Sequence, residues 1–210
     1  MVAAYVRGAA RAGILTSAKH FPGHGATGKD SHIAAPTIGR SRGELEACDL
    51  VPFRAAIAAG VSSVMTTHIT FPALDPHAPA TLSRAILRDL LRGEMGFAGT
   101  VISDDLEMAG IALKLSLEDG ALAALRAGCD ILIASRMLLE QRDLPGLLAR
   151  LRSAVGGGEA APAEVAAALA RTRRLRERLS WQADPAAATA VLRSPAHLTL
   201  LEEVERRAVS

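Results

Sequence analysis

VPFRAAIAAGVSSVMTTHI, residues 51–69, changes its hydrophobic period halfway along. Pro52 suits a first helical turn, Phe53 and Ile57 share a face with the alanines around them, and Gly60 stops the helix. Val61–Ile69 then runs on as a short apolar segment that closes on His68, the pattern of a buried strand. A helix that feeds straight into a buried strand is one step of a β/α repeat. The same grammar extends in both directions. Ile14–Phe21, Thr100–Asp104 and Asp130–Ala134 read as further buried strands between turn residues. Ser83 can cap a helix that carries Ile86, Leu87, Leu90 and Leu91 on one face and ends near Gly96. Glu118–Ala127 carries Leu122 and Leu125, with Gly128 in the C-terminal cap position. Leu144, Leu147, Leu148, Leu151 and Val155 mark another helix, which Gly156–Gly158 ends.

This alternation predicts an α/β fold with a parallel sheet. Its polar residues fall at strand ends: Lys19 and His20, then His68, then Asp104 and Asp105. In (β/α)8 barrels the chemistry sits at the C-terminal ends of the strands. Four strands make half of such a barrel, whose full form takes about 250 residues. The expected organisation is a half-barrel over residues 1–158 and a helical extension or linker over 159–210. In that extension Pro162–Leu179 turns Val165, Leu169, Leu175 and Leu179 inward. Its five arginines, Arg171, Arg173, Arg174, Arg176 and Arg178, face mostly outward. No aromatic residue interleaves them, so a solvated face is favoured over a nucleic-acid surface. Asp184–Ser210 reads as a linker and a last helix.

Half of the 210 residues are hydrophobic and only 3% are aromatic, which predicts one sizeable aliphatic core. A net charge of +2 argues for neither nucleic-acid nor membrane partners. No apolar run reaches the roughly 20 residues that span a bilayer. Cys48 and Cys129 form no disulfide framework or metal spacing, which fits a reducing, cytoplasmic location.

The segment KHFPGHGATGKDSH, Lys19–His32, displays titratable groups on a stretch that Pro22, Gly23, Gly25 and Gly28 keep out of a regular helix. Asp30 and His32, two residues apart, would point the same way on an extended chain. The Asp would then fix the imidazole's tautomer and raise its pKa, which suits a proton shuttle. Such a pair standing alone would read as a surface turn; beside KHFPGHG it reads as an active-site loop. Of the two consecutive carboxylates in SDDL, only one can face the sheet's mouth. Asp104 is assigned the chemistry, as nucleophile, metal ligand or electrostatic stabiliser, and Asp105 a capping or structural role. His68 ends its strand in a place open to either a structural or a functional use. His20 and His24 have the i, i+4 spacing of a helical metal pair, but Pro22 and Gly23 spoil that helix and no cysteine completes a soft site.

Taken in order, KHFPGHG (Lys19–Gly25), DSH (Asp30–His32), Met65–His68 and SDDL (Ser103–Leu106) resemble family 3 glycoside hydrolases. Within that family they resemble the bacterial β-N-acetylhexosaminidase branch, the β-N-acetylglucosaminidases of peptidoglycan recycling. The similarity covers about residues 5 to 135. The resemblance implies a (β/α)8 barrel of which this chain holds strands 5–8, and a retaining exo-β-N-acetylglucosaminidase acting on muropeptides. It implies Asp104 as nucleophile, His32 as general acid/base with Asp30 as its partner, and Lys19, His20 and His68 in the sugar subsite. No metal or organic cofactor is implied. The loop histidine separates this branch from the β-glucosidase branch. Two departures stand out. Ala26 replaces the Asp that many relatives carry after GHG, and the barrel half that supplies a sugar-gripping Asp and Arg is missing. A truncated, inactive sugar-binding half-barrel is therefore the competing expectation, and its two open sheet edges predict self-association. Residues 192–210 also resemble the junction into a further domain of longer relatives.

Overall fold

The computed structural model describes residues 1–26, 36–135, 144–179 and 194–208. They fall into two compact units, Met1–Leu179 and Ser180–Ser210. In the second, the described part is one helix, Pro195–Ala208, together with Ser194. The helix Pro162–Glu177, which the sequence placed beyond the half-barrel, lies inside the first unit.

The first unit is built on four parallel strands: β1 (Ser17–Phe21), β2 (Ser63–Thr66), β5 (Thr100–Asp105) and β6 (Ile131–Ile133). They lie side by side in chain order, β1-β2-β5-β6. Ser17 pairs with Ser63, Val64 with Val101, and Ile102 with Ile131. Helices link successive strands, so all four strands carry their C-terminal ends to the same edge of the sheet. The strand expected over Val61–Ile69 forms only over Ser63–Thr66. After Thr66 the carbonyls of Thr67 and Ile69 accept the amides of Thr81 and Ala80 at 3.1 and 2.9 Å, which draws the chain out of the sheet. A small antiparallel hairpin, β3 (Thr70–Phe71) with β4 (Asp75–Pro79), fills the gap. Asp75 ties it down, accepting the Ser83 hydroxyl at 2.6 Å and the His77 amide at 2.9 Å.

The helices follow the sequence closely. Val51–Ala58 starts on Pro52 and ends before Gly60. Ser83 accepts the Ile86 amide at 3.1 Å as a cap. The helix it precedes, Ala85–Glu94, is wound with i→i+5 bonds, and the Met95 amide reaches back to Leu90 O at 2.9 Å. Leu117–Ala127 ends on Gly128, whose φ of 124° favours glycine. The core between helices and sheet is largely aliphatic, with Val64, Ile69, Ile86, Leu87, Leu91 and Val101 fully buried. Few as they are, all four phenylalanines join it, and Phe21 meets Phe53 edge-on at 5.1 Å.

Not every arginine of Pro162–Glu177 faces outward. Arg171 turns in to Asp130, whose carboxylate is 0% exposed and sits just before β6. Asp130 accepts Nη2 and Nε of Arg171 at 2.8 and 3.0 Å, Nη2 of Arg92 at 2.7 Å and the Val101 amide at 2.8 Å. Removing that carboxylate strands two half-buried guanidinium groups and a backbone donor. Asp130→Ala is expected to lower the unfolding free energy by about 3–5 kcal/mol. Urea denaturation followed by circular dichroism measures it, and a loss within the scatter of a surface substitution would refute the reading.

Candidate active site

The regular pairing of the sheet breaks at two places, between Ala18 and Phe21 on β1 and between Ile102 and Asp105 on β5. Such breaks re-aim side chains. Here they bracket Lys19 and His20 on one strand and Asp104 on the other. The Lys19–His20 and Phe21–Pro22 peptide bonds are cis. Across the end of the shorter β2, His20 Nε2 comes within 3.9 Å of Asp104 Oδ2. The side chains are 26% and 18% exposed, open enough for a ligand to reach. The His24 ring stands 5.5 Å from that of His20, and Lys19 is exposed beside them.

Burial pulls the His20 pKa below its ordinary value. Asp104 pushes the other way, and Lys19 and His24 add to the lowering. At neutral pH the ring is therefore uncharged. At 3.9 Å it is a polar neighbour of Asp104 and not a locked ion pair. Asp104 Oδ1 accepts the Asp105 amide at 3.0 Å, and the Asp104 amide donates to Thr66 Oγ1 at 3.2 Å. The carboxylate is thus held from its own backbone with Oδ2 turned toward the histidine.

The two carboxylates separate as strand alternation requires. Asp105 turns away into the following loop, where Oδ1 accepts the amides of Glu107 and Ser135 at 3.1 and 3.3 Å and Oδ2 accepts the Ser135 hydroxyl. That is a loop-fastening role. Ser103, fully buried, accepts the Ile133 amide at 2.9 Å and keeps β6 on β5 across the break in pairing.

His68 sits beneath this surface, not on it. It is 1% exposed, with Nδ1 2.8 Å from Thr81 Oγ1 and Nε2 2.8 Å from the Asp105 carbonyl. Both ring nitrogens are thereby occupied, so this geometry gives it no direct reach to a ligand at the sheet edge. Gly110 packs so tightly on it that a Cβ there would come within 2.7 Å of His68 Cβ. Asp30 and His32 lie outside the described residues. Among the described residues no three potential metal-ligating side chains gather. Gly23 is held in a similarly tight place: its φ is +152°, and a Cβ would meet Asp49 at 2.9 Å, the same Asp49 that pairs with Arg40 at 2.5 Å.

Sequence reading missed Thr66 and Thr81, which join Asp104 to His68, and the Asp130 cluster. Thr66 gave a faint signal, a hydroxyl inside an apolar strand. Thr81, fifteen residues on, gave none.

The C-terminal edge of the sheet thus displays a histidine from β1 and a carboxylate from β5, at the edge where (β/α)8 barrels carry their chemistry. Residues 1–175 match the glycosyl hydrolase family 3 N terminal domain, and the chain belongs to that family. Its fold is the TIM-barrel-like α/β fold of that domain. The chain is 45% identical over 135 residues to a beta-hexosaminidase of Tolumonas auensis, covering 64% of this chain and 40% of that protein. It superposes on a family 3 beta-N-acetylglucosaminidase from a Paenibacillus species with a TM-score of 0.79 and 40% identity, over 87% of this chain and 35% of that one. For the beta-N-acetylglucosaminidase of Thermotoga maritima the TM-score is 0.73 and the identity 29%, over 86% and 38%. This chain thus spans about 40% of the length of the curated relatives it matches.

The part-buried His20 and the buried His68 set a pH dependence. Burial lowers the pKa of both His20 and His68 below the 6.5 that they have when unfolded. Below pH 6.5 the unfolded chain binds protons that the folded chain refuses. Stability is therefore complete above that pH and is lost as pH falls through the window below it, by at most about 1.4 kcal/mol per pH unit for each histidine. Urea midpoints measured between pH 7.5 and 5 are expected to fall. A flat profile would mean that neither ring is held neutral by the fold.

Proposed function

We propose that this chain carries the reacting groups of a retaining β-N-acetylglucosaminidase acting on terminal N-acetylglucosamine, with muropeptides as the substrate class. The observation that carries this reading is the placement of Asp104. It stands at the C-terminal end of an inner strand, anchored through its own backbone, with one carboxylate oxygen toward an uncharged His20. A carboxylate that is not locked in an ion pair keeps its nucleophilic lone pairs. The named relatives supply the sugar.

In this mechanism Asp104 attacks the anomeric carbon, and the glycosidic bond breaks as the leaving oxygen takes a proton from His32. A covalent glycosyl-enzyme results. Water then attacks the same carbon as His32 takes its proton, the bond to Asp104 breaks, and the sugar leaves with its configuration retained. Retaining glycosidases usually pair two carboxyl groups; a histidine with Asp30 behind it can do the second one's work. His20, beside Asp104, and Lys19, exposed next to it on β1, suit the sugar hydroxyls. His68, enclosed as it is, acts through the backbone. No metal or cofactor enters the reaction.

The four strands in this reading are strands 5–8 of the barrel. β1 and β6 then present the edges against which the remaining strands close, whether those belong to a longer polypeptide or to another copy of this one. No helix among the described residues is long and apolar enough to cross a membrane.

Hydrolysis of 4-nitrophenyl N-acetyl-β-D-glucosaminide tests the assignment. Asp104→Asn is expected to bring the rate to background. His32→Ala should lower it by about 10²–10⁴-fold on substrates with poor leaving groups, the usual contribution of a general acid. Full activity in Asp104→Asn would overturn the nucleophile. A folded parent chain that does not hydrolyse the substrate would support the competing reading, a sugar-binding half-barrel, and its molecular mass in solution would then show whether the open edges find a partner.

A further inference from the structure

The polar contacts beneath the sheet edge form a single path with two backbone ends. It begins at the Asp104 amide, which donates to Thr66 Oγ1 at 3.2 Å. Thr66 Oγ1 lies 2.7 Å from Thr81 Oγ1, and Thr81 Oγ1 lies 2.8 Å from His68 Nδ1. On the far side His68 Nε2 lies 2.8 Å from the carbonyl of Asp105. Thr66, Thr81 and His68 are all 1% exposed or less.

Hydrogen placement settles the direction of this path. A carbonyl can only accept, so Nε2 of His68 must carry a hydrogen. The ring is buried, and burial opposes a second proton, so Nδ1 is bare and accepts. The hydrogen between Nδ1 and Thr81 must then be the Thr81 hydroxyl's. Thr81 Oγ1 also lies 2.9 Å from the Thr67 carbonyl, but that oxygen keeps the Thr81 amide at 3.1 Å as a donor whichever way the hydroxyl turns, whereas a bare Nδ1 facing a hydroxyl lone pair at 2.8 Å would be repelled. With its only hydrogen committed to His68, Thr81 accepts from Thr66, and Thr66 in turn accepts from the Asp104 amide. Each hydroxyl donates once and accepts once.

We infer that His68 is a positioning residue for Asp104, held as the Nε2–H tautomer at the end of a one-way hydrogen-bond loop. The loop runs Asp104 N–H to Thr66 to Thr81 to His68 to Asp105 C=O. It clamps the Ser103–Asp104 peptide unit before the proposed nucleophile and the Asp105–Leu106 unit one residue beyond it, at the point where β5 loses regular pairing with β6. This deepens the proposed mechanism and rests on Asp104 being its nucleophile. A catalytic carboxylate must be held to a fraction of an ångström, and loops of this kind strengthen as each bond polarises the next.

Nuclear magnetic resonance on the ¹⁵N-labelled chain at pH 7 reads the loop directly. The expected result is a proton on His68 Nε2 and none on Nδ1. A proton on Nδ1, alone or with Nε2, would overturn the inference, and this reading needs no variant. Transmission is read from exchange of the Asp104 amide with solvent. Thr81→Val keeps the shape and removes the donor, and Asp104 exchange should quicken roughly tenfold, the scale of one net hydrogen bond. Thr81→Ser should restore it. Equal exchange in parent and Thr81→Val would show that the bonds do not act together and would sink the proposal. Neither readout depends on turnover. Full hydrolysis by Asp104→Asn would remove the nucleophile while leaving these results as they stand, so the two failures are distinguishable.

Discussion

Asp130 is a fully buried carboxylate shared by two guanidinium groups, and three separate stretches of chain converge on it. Arg92 comes from the helix before β5, Val101 from β5 itself and Arg171 from the helix Pro162–Glu177. An ion buried this deeply is tolerated only when its oxygens are fully engaged, so the three stretches cannot shift independently. Arg92 extends the tie with bonds to the carbonyls of Phe97 and Gly99 at 3.4 and 3.0 Å. The start of β5 is fixed in this way, and its register against β2 then carries Asp104 to the place where it meets His20. The position of the site is a consequence of how the opposite end of the strand is fastened.

Much of this was legible in the residues. The helix and strand periods around Gly60, the cap at Ser83 and the stop at Gly128 each have a local cause, and each appears where the local cause puts it. That Asp104 and Asp105 face opposite ways follows from strand alternation. What was not legible depends on residues far apart in sequence. Nothing near Thr81 says that it lies under β2, because the hairpin β3–β4 that delivers it there is made of short, irregular strands, the second of which holds two prolines. Arg171 looks like its four neighbouring arginines until the buried partner 41 residues away is known.

His68 is the instructive case. Its place at a strand end suggested contact with substrate, and it does lie directly behind the candidate site. The chain turns inward after Thr66, however, and the ring is sealed under Gly110 with both nitrogens engaged. A residue can be next to the chemistry in sequence and serve it from the rear.

The sheet also keeps its two polar clusters at opposite ends of the strands, Asp130 and its arginines where β5 and β6 begin, His20 and Asp104 where β1 and β5 finish. That layout has a consequence for how such a protein can change over generations. The connections that leave the finishing ends, after Phe21, Thr66 and Asp105, can lengthen, shorten or exchange residues without disturbing the knot that sets strand register. New preferences for a ligand at that edge can therefore be tried in those connections at little risk to folding, while the knot itself tolerates almost no experiment.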